Sequence, residues 1–267
     1  MKPKYLFDSL WQYRVLVKHM VLRDIQSRYK GSVLGVLWSL LSPVVMLTIY
    51  TFFFSVVFRS KWNSGSEGKF EFAIVLFAGL IIFNFFVECI TKAPSLIVGN
   101  VNYVKKVIFP LEVLSWVSIG SAAFNLVIGY IVLISFLVLS GMSIHWTVLM
   151  FPIVILPLVP IVAGLSWVLA GLGVFFRDIN QMIGMFITAM MFLCPIFYPI
   201  SALPEYLMDY IYLNPLTFIV EQSRAVLIFG TMPDWIGLLT YLLVSFLIAW
   251  LGLFAFNSMR KGFADVL

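Results

Sequence analysis

Glu88 and Glu112 flank one polar loop of this 267-residue chain. Two carboxylates meeting at a membrane face are the minimum for proton-transfer chemistry there. No motif accompanies them. The two histidines, His19 and His145, lie in different regions, and acids are nowhere clustered. Cys89 and Cys194 are far apart, in or beside apolar runs, and have neither a disulfide framework nor metal-ligand spacing. The plainer reading is that both glutamates are helix-end acids. Glu88 and Lys92 are four residues apart, so they meet on one helix face and soften each other's desolvation. No GxxxxGK[ST] phosphate loop occurs, so this cradle for ATP is missing. No ring-forming filter signature points to an ion channel. A membrane-embedded enzyme therefore rests on the two glutamates alone.

The elements that hold these residues are membrane helices. Val33 to Phe58 holds no Asp, Glu, Lys, Arg or His. As a helix its 26 residues would reach roughly 39 Å, against a hydrocarbon core about 30 Å thick. Hydrophobic residues make up 62% of the chain and charged residues 11%, against about 25% charged in soluble domains. Further spans are expected at Phe70–Lys92, Leu111–Ser140, Val148–Phe176, Asn180–Pro195 and Trp235–Phe256. Pro152, Pro157 and Pro160 should kink the fourth. Between Pro195 and Asp234 no charge-free run reaches 18 residues. Short re-entrant or interfacial helices are expected there, near Leu203–Tyr212 and Pro215–Phe229. A further short helix is expected around Ser95–Val107.

Residues 1–32 mix basic side chains with Trp11, Tyr13 and aliphatic residues, which suits an amphipathic helix in the headgroup layer, from about Asp8 to Tyr29. Asp8 or Ser9 would cap it. The basic part is too long, and the apolar run after it lacks a cleavage site, for a signal peptide. With the N-terminus inside, thirteen of the 17 Lys and Arg fall in inside segments. Only Arg59, Lys61, Lys69 and Arg224 fall outside. This asymmetry predicts six spans with both termini cytoplasmic. It also assigns the net charge of +5 to orientation rather than to nucleic acid. The expected fold is all-α and polytopic: an interface segment (1–32), a six-span domain (33–256) with a loop at 93–110 and a re-entrant region at 196–234, and a tail (257–267).

Several stretches carry a resemblance. RDIQSRYKGSVLGVLWSLLSPVVMLTIYTFFFSVVF at Arg23–Phe58 resembles the start of an ABC-2 type transport permease. More narrowly it is similar to the Wzm-type permeases that export lipid-linked polysaccharides, including O-antigens, and to their teichoic acid relatives. NVNYVKKVIFPLEV (Asn100–Val113), FFRDINQ (Phe175–Gln181), NPLTFIVEQSRAVLI (Asn214–Ile228) and GFADVL (Gly262–Leu267) continue the match in order, over nearly the whole chain.

The resemblance implies a homodimer in the bacterial inner membrane, working with two copies of a separate ABC ATPase that holds ATP and Mg. The substrate would be an undecaprenyl-diphosphate-linked polysaccharide, O-antigen first, with capsule and teichoic acid export as alternatives; the competing reading of another class is a membrane-embedded glycan-processing enzyme. It implies that a coupling helix at Gly99–Phe109 docks on the ATPase through Asn102, Tyr103, Lys105 and Lys106. Arg23, Asp24 and Arg28 are the second contact candidates. Positive-inside charge alone also accounts for Lys105 and Lys106. Aromatic faces stack on sugar C–H surfaces, so Trp38, Tyr50, Phe52, Phe53 and Phe54 are channel candidates, as are Phe197, Tyr198, Tyr206, Tyr210 and Tyr212. Lipid contact and the interfacial aromatic belt are the ordinary roles of such residues.

Overall fold

A computed structural model describes residues 10–57, 62, 70–105 and 109–267. The expected cap at Asp8 or Ser9 and most of the polar loop 59–71 lie outside the described residues. The main helices are α1 (Arg14–Tyr29), α2 (Leu37–Tyr50), α3 (Glu71–Lys92), α4 (Ser95–Val98), α5 (Val101–Val104) and α6 (Val113–Leu139). They continue with α7 (Phe151–Ile155), α8 (Leu158–Phe175), α9 (Ile179–Leu193), α10 (Glu205–Ile211), α11 (Pro215–Leu227), α12 (Trp235–Arg260) and α13 (Phe263–Val266).

Five stretches among the described residues are long and apolar enough to cross a membrane: Leu37–Phe54, α3, α6, Trp146–Phe175 and α12. α9 is apolar but has 15 residues, about 22 Å of helix and short of a bilayer core. The prolines divide the Trp146–Phe175 stretch as expected. A 3-10 turn at Trp146–Met150 leads to Pro152 in the first turn of α7, and the helix restarts after Pro157 as α8. α2 carries Pro43 internally and widens into a π-helical turn at Thr51–Val57.

Sequence reading and structure differ at Ser95–Val107. The single helix expected there is two one-turn helices, α4 and α5, separated at Gly99–Asn100. Asn100 leaves helical geometry (φ −129°, ψ 39°) and turns its amide back onto the Leu96 carbonyl at 2.9 Å. Its side chain thus offers the backbone an alternative to continuing the helix. α12 runs four residues past the expected Phe256.

α3 is the centre of the molecule. In its apolar window 83% of residues are buried, against 11% in Leu37–Phe54. It packs on α6, α8, α9, α11 and α2. The broadest helix pair is α8 with α12, and small residues make it. A Cβ on Gly252 would lie 2.3 Å from the Gly164 carbonyl oxygen, and one on Gly164 2.7 Å from that of Ile248. Close backbone approach of this kind drives helix association where lipid is as apolar as protein. α11 begins at an Asn214 side chain that accepts from the Leu216 N–H at 2.9 Å, with Pro215 at its first position.

Substituting Gly252→Ala should force α8 and α12 apart and cost about 1–3 kcal/mol, as overpacking does. Gly184→Ala on α9, where nothing lies within 4 Å of the added carbon, is the control. A detergent melting curve reads the difference. Equal melting temperatures for the two variants would contradict the close α8–α12 contact.

Candidate functional site

Three helices each bring an i, i+4 pair of polar residues to one point: Asp24 and Arg28 from α1, Glu88 and Lys92 from α3, Ser121 and Asn125 from α6. Residues four apart share a helix face, so each helix needs only this spacing to contribute two groups. Arg28 forms ion pairs with Glu88 and, at 3.1 Å, with Asp24. Lys92 lies 3.2 Å from Asp24 and 3.8 Å from Glu88. Arg28 donates to the Ser121 hydroxyl at 2.7 Å, and that hydroxyl donates to Asp24. The Asn125 amide donates to the second Glu88 oxygen at 2.8 Å.

Burial opposes the charge on Asp24, yet the Ser121 hydrogen bond, Lys92 and Arg28 outweigh it and hold the carboxyl below the ordinary 3.8. Burial likewise opposes the Arg28 charge, and Glu88 with Asp24 outweighs it and strengthens the guanidinium's hold on its proton. Two of the three expected contact residues on α1, Asp24 and Arg28, are thus turned toward α3 and α6. Arg23 is exposed.

A second contact set fixes the loop after α3. Pro94 presses on α8 so closely that a Cβ on Gly173 would sit 2.2 Å from the Pro94 oxygen. At the loop's other end Arg260 of α12 pairs with Glu112 at 3.1 Å and donates to the Phe109 carbonyl at 3.2 Å. The Trp167 indole donates to the Glu112 carbonyl at 3.0 Å. Glu88 and Glu112 therefore take separate cationic partners and do not pair with each other. Among the described residues no group of three His, Cys, Asp or Glu is placed to hold a metal ion. Within the loop Tyr103 stacks on Phe109 with ring centroids 4.3 Å apart, while Asn102 and Lys105 are exposed. Lys106 lies outside the described residues. Arg23, Asp24, Asn100 and Tyr103 line one cleft of about 170 Å³, so α1 and the loop form a joint surface although far apart in sequence.

Glu88 also faces a groove of about 390 Å³ between α2, α3 and α6. Trp38 and Tyr50 line it, together with Ser39, Ser42, Asn84 and Asn125. Hydroxyl and amide groups beside two aromatic faces can hydrogen-bond a hydroxyl-rich chain and pack on its C–H surfaces. The other aromatic candidates are elsewhere. Phe52 and Phe53 are exposed and meet edge to face at 5.5 Å, and Phe54 stacks on Phe72 at 4.9 Å. Tyr198 donates to the Phe192 carbonyl at 2.9 Å beside a half-buried Phe197. Tyr206, Tyr210 and Tyr212 are exposed on and after α10. Sequence reading missed Asn84, Ser121 and Asn125. Their signal was available: an amide or hydroxyl inside an otherwise apolar span needs a partner.

The cluster generates a prediction. Glu88→Gln removes the charge that both Arg28 and Lys92 face, and should cost about 1–3 kcal/mol. The carboxyl of Asp24 has its pKa lowered by folding, so its contribution is complete above the ordinary value and is lost as pH falls through the depressed one. Asp24→Asn should therefore lower the melting temperature at neutral pH and flatten its fall in acid. A variant whose melting curve tracks the parent at every pH would remove the cluster from the account of stability.

Comparison with known proteins agrees with this architecture. The model of the ABC-2 type transporter family matches residues 15–228. The chain is 28% identical to an O-antigen export system permease protein, RfbA, of Myxococcus xanthus, over 97% of this chain and 98% of the relative. It is 27% identical to a protein of the same name from Klebsiella pneumoniae, over 100% and 99%. A polysialic acid transport protein, KpsM, of Escherichia coli is 22% identical over 93% and 95%. With a family match spanning most of the chain and helices apolar enough to cross a bilayer, this protein belongs to the ABC-2 type transporter family and is an integral membrane protein.

Proposed function

We propose that this chain is the permease subunit of an ATP-driven exporter that moves a lipid-linked polysaccharide of the O-antigen class across the bacterial inner membrane. The observation that carries the reading is full-length similarity to permeases named for O-antigen export. Similarity to a polysialic acid transporter keeps capsule export as the second reading, at lower identity. In this reading α9 completes a sixth span, α10 and α11 form the re-entrant pair, and both termini are cytoplasmic, as the basic residues favour.

The exposed apolar faces of α2 and α9, with Leu37, Met46, Met182, Met185 and Phe186 among them, support a homodimer that covers them. The groove at Trp38 and Tyr50 lies on the sugar path, with the undecaprenyl-diphosphate carrier alongside. A separate ABC ATPase, two copies per dimer, holds ATP and Mg. It docks where α1 and the loop after α3 share a cleft, through Arg23, Asn102, Tyr103, Lys105 and Lys106. Asp24 and Arg28 then act one layer in. They tie α1 to α3 and α6, so a push on α1 moves the bundle as a body.

The test is charge reversal at the docking surface. Lys105→Glu with Lys106→Glu, and separately Arg23→Glu, should weaken co-purification with the ATPase about tenfold or more, the scale of interface hot spots. Surface polysaccharide should fall with it, while the permease still inserts in the membrane. Normal ATPase binding and export by both variants would overturn the docking assignment. Export of the glycan by cells lacking this chain would overturn the function itself.

A further inference from the structure

Among the described residues Arg224 is the one buried Lys or Arg, and the transport reading leaves it without a role. It is 1% exposed in a chain where burying an unpaired charge is prohibitive. Its guanidinium has five N–H donors in a fixed fork. Nε donates to the Val75 carbonyl of α3 at 3.1 Å. Nη1 donates to the Pro195 carbonyl at 2.6 Å and to Glu221 at 2.7 Å. Nη2 donates to the Ile196 carbonyl at 2.9 Å. The cation also lies over the Trp62 ring, 4.4 Å from its centroid. Gly79 makes the room: a Cβ there would lie 3.1 Å from Nη2.

The acceptors explain the arrangement. α9 ends at Leu193, so the carbonyls of Pro195 and Ile196 lie past the helix and have no helical donor. Both residues are buried, and irregular backbone inside a membrane protein must be satisfied by protein. Arg224 supplies that from α11 and reaches α3 with the same fork.

We infer that Arg224 is a positioning residue for transport: it fastens the end of α9, helix α11 and the first turns of α3 into one body that moves as a unit during the cycle. This rests on the export reading for what the motion accomplishes, and on the geometry alone for the fastening. Lysine replaces it only in part, since an ammonium is a point charge without the planar fork. Methionine fills the space and leaves two carbonyls and Glu221 unpaired.

The test uses the full chain with its ATPase in lipid vesicles, in a Cys89→Ser background, with lipid-linked glycan extracted from the source cells. Three quantities are read: ATP hydrolysis, glycan moved per ATP, and the reaction of Cys194 with a maleimide. Cys194 is fully buried and immediately precedes Pro195. Arg224→Met should keep the complex and its hydrolysis near the parent level, lower glycan per ATP about tenfold or more, and make Cys194 reactive. Arg224→Lys should fall between. Loss of complex, hydrolysis and transport in equal proportion by Arg224→Lys would mean a merely structural role and overturn the assignment. So would parental glycan per ATP with a protected Cys194 in that variant, which decides the matter if Arg224→Met does not fold. A parent complex that hydrolyses ATP but moves no glycan would overturn the export reading instead, and the Cys194 arm would still decide the fastening.

Discussion

In a chain with 62% hydrophobic residues, a charge or an open carbonyl inside the bundle has few places to find a partner, and the positions of those partners dictate which helices stay together. Among the described residues three clusters meet the need. Arg28, Lys92, Asp24 and Glu88, with Ser121 and Asn125, join α1, α3 and α6. Arg260 and Glu112 join α12 to the start of α6. Arg224, with Glu221 beside it, joins α11, α3 and the end of α9. Burying apolar surface between helices gains little over lipid contact beyond close packing, whereas polar groups inside the bundle must be matched by other polar groups. They therefore specify the arrangement more than they deepen its stability, since burying ion pairs carries its own desolvation cost.

Five of the six expected spans were legible because a helix needs only a long charge-free run to be recognised; the expected Asn180–Pro195 span is the short α9. Val113–Leu139 and Trp146–Phe175 lie within a residue or two of the stretches read from hydropathy. The end of α12 was misjudged for the converse reason. Asn257, Ser258 and Arg260 break the apolar pattern, but helical hydrogen bonding continues through them, and Arg260 is held by Glu112. The stretch Ser95–Val107 is long enough for one short helix, but Gly99 followed by Asn100, with the Asn100 amide folded back, divides it.

The sites were less legible, because their partners are distant in sequence. The spacing of Glu88 and Lys92 showed that pair, but nothing local shows that Arg28, sixty residues earlier in the chain, completes it. Counting Arg224 among outward-facing loop cations concealed its burial. A Glu-x-x-Arg spacing on an apolar helix, with prolines ending the helix before it, is the retrospective signal. The proline-rich break creates open carbonyls, and the arginine three residues after Glu221 is the group able to fill them.

The clusters also divide the molecule's ends. At the end holding α1, the charged groups are half-buried and water reaches part of them: the side chains of Asp24, Arg28 and Lys92 keep 36%, 25% and 34% of their exposure. Such contacts are shielded enough to orient α1 and wet enough to yield when another surface competes for them. Arg224 is enclosed on every side, so its contacts exchange for nothing. In the proposed export cycle, with an ATPase docked at the α1 end, the two ends meet different demands. The driven end must be able to re-pair its charges as it moves, while the far end must carry its irregular backbone through the motion without opening it.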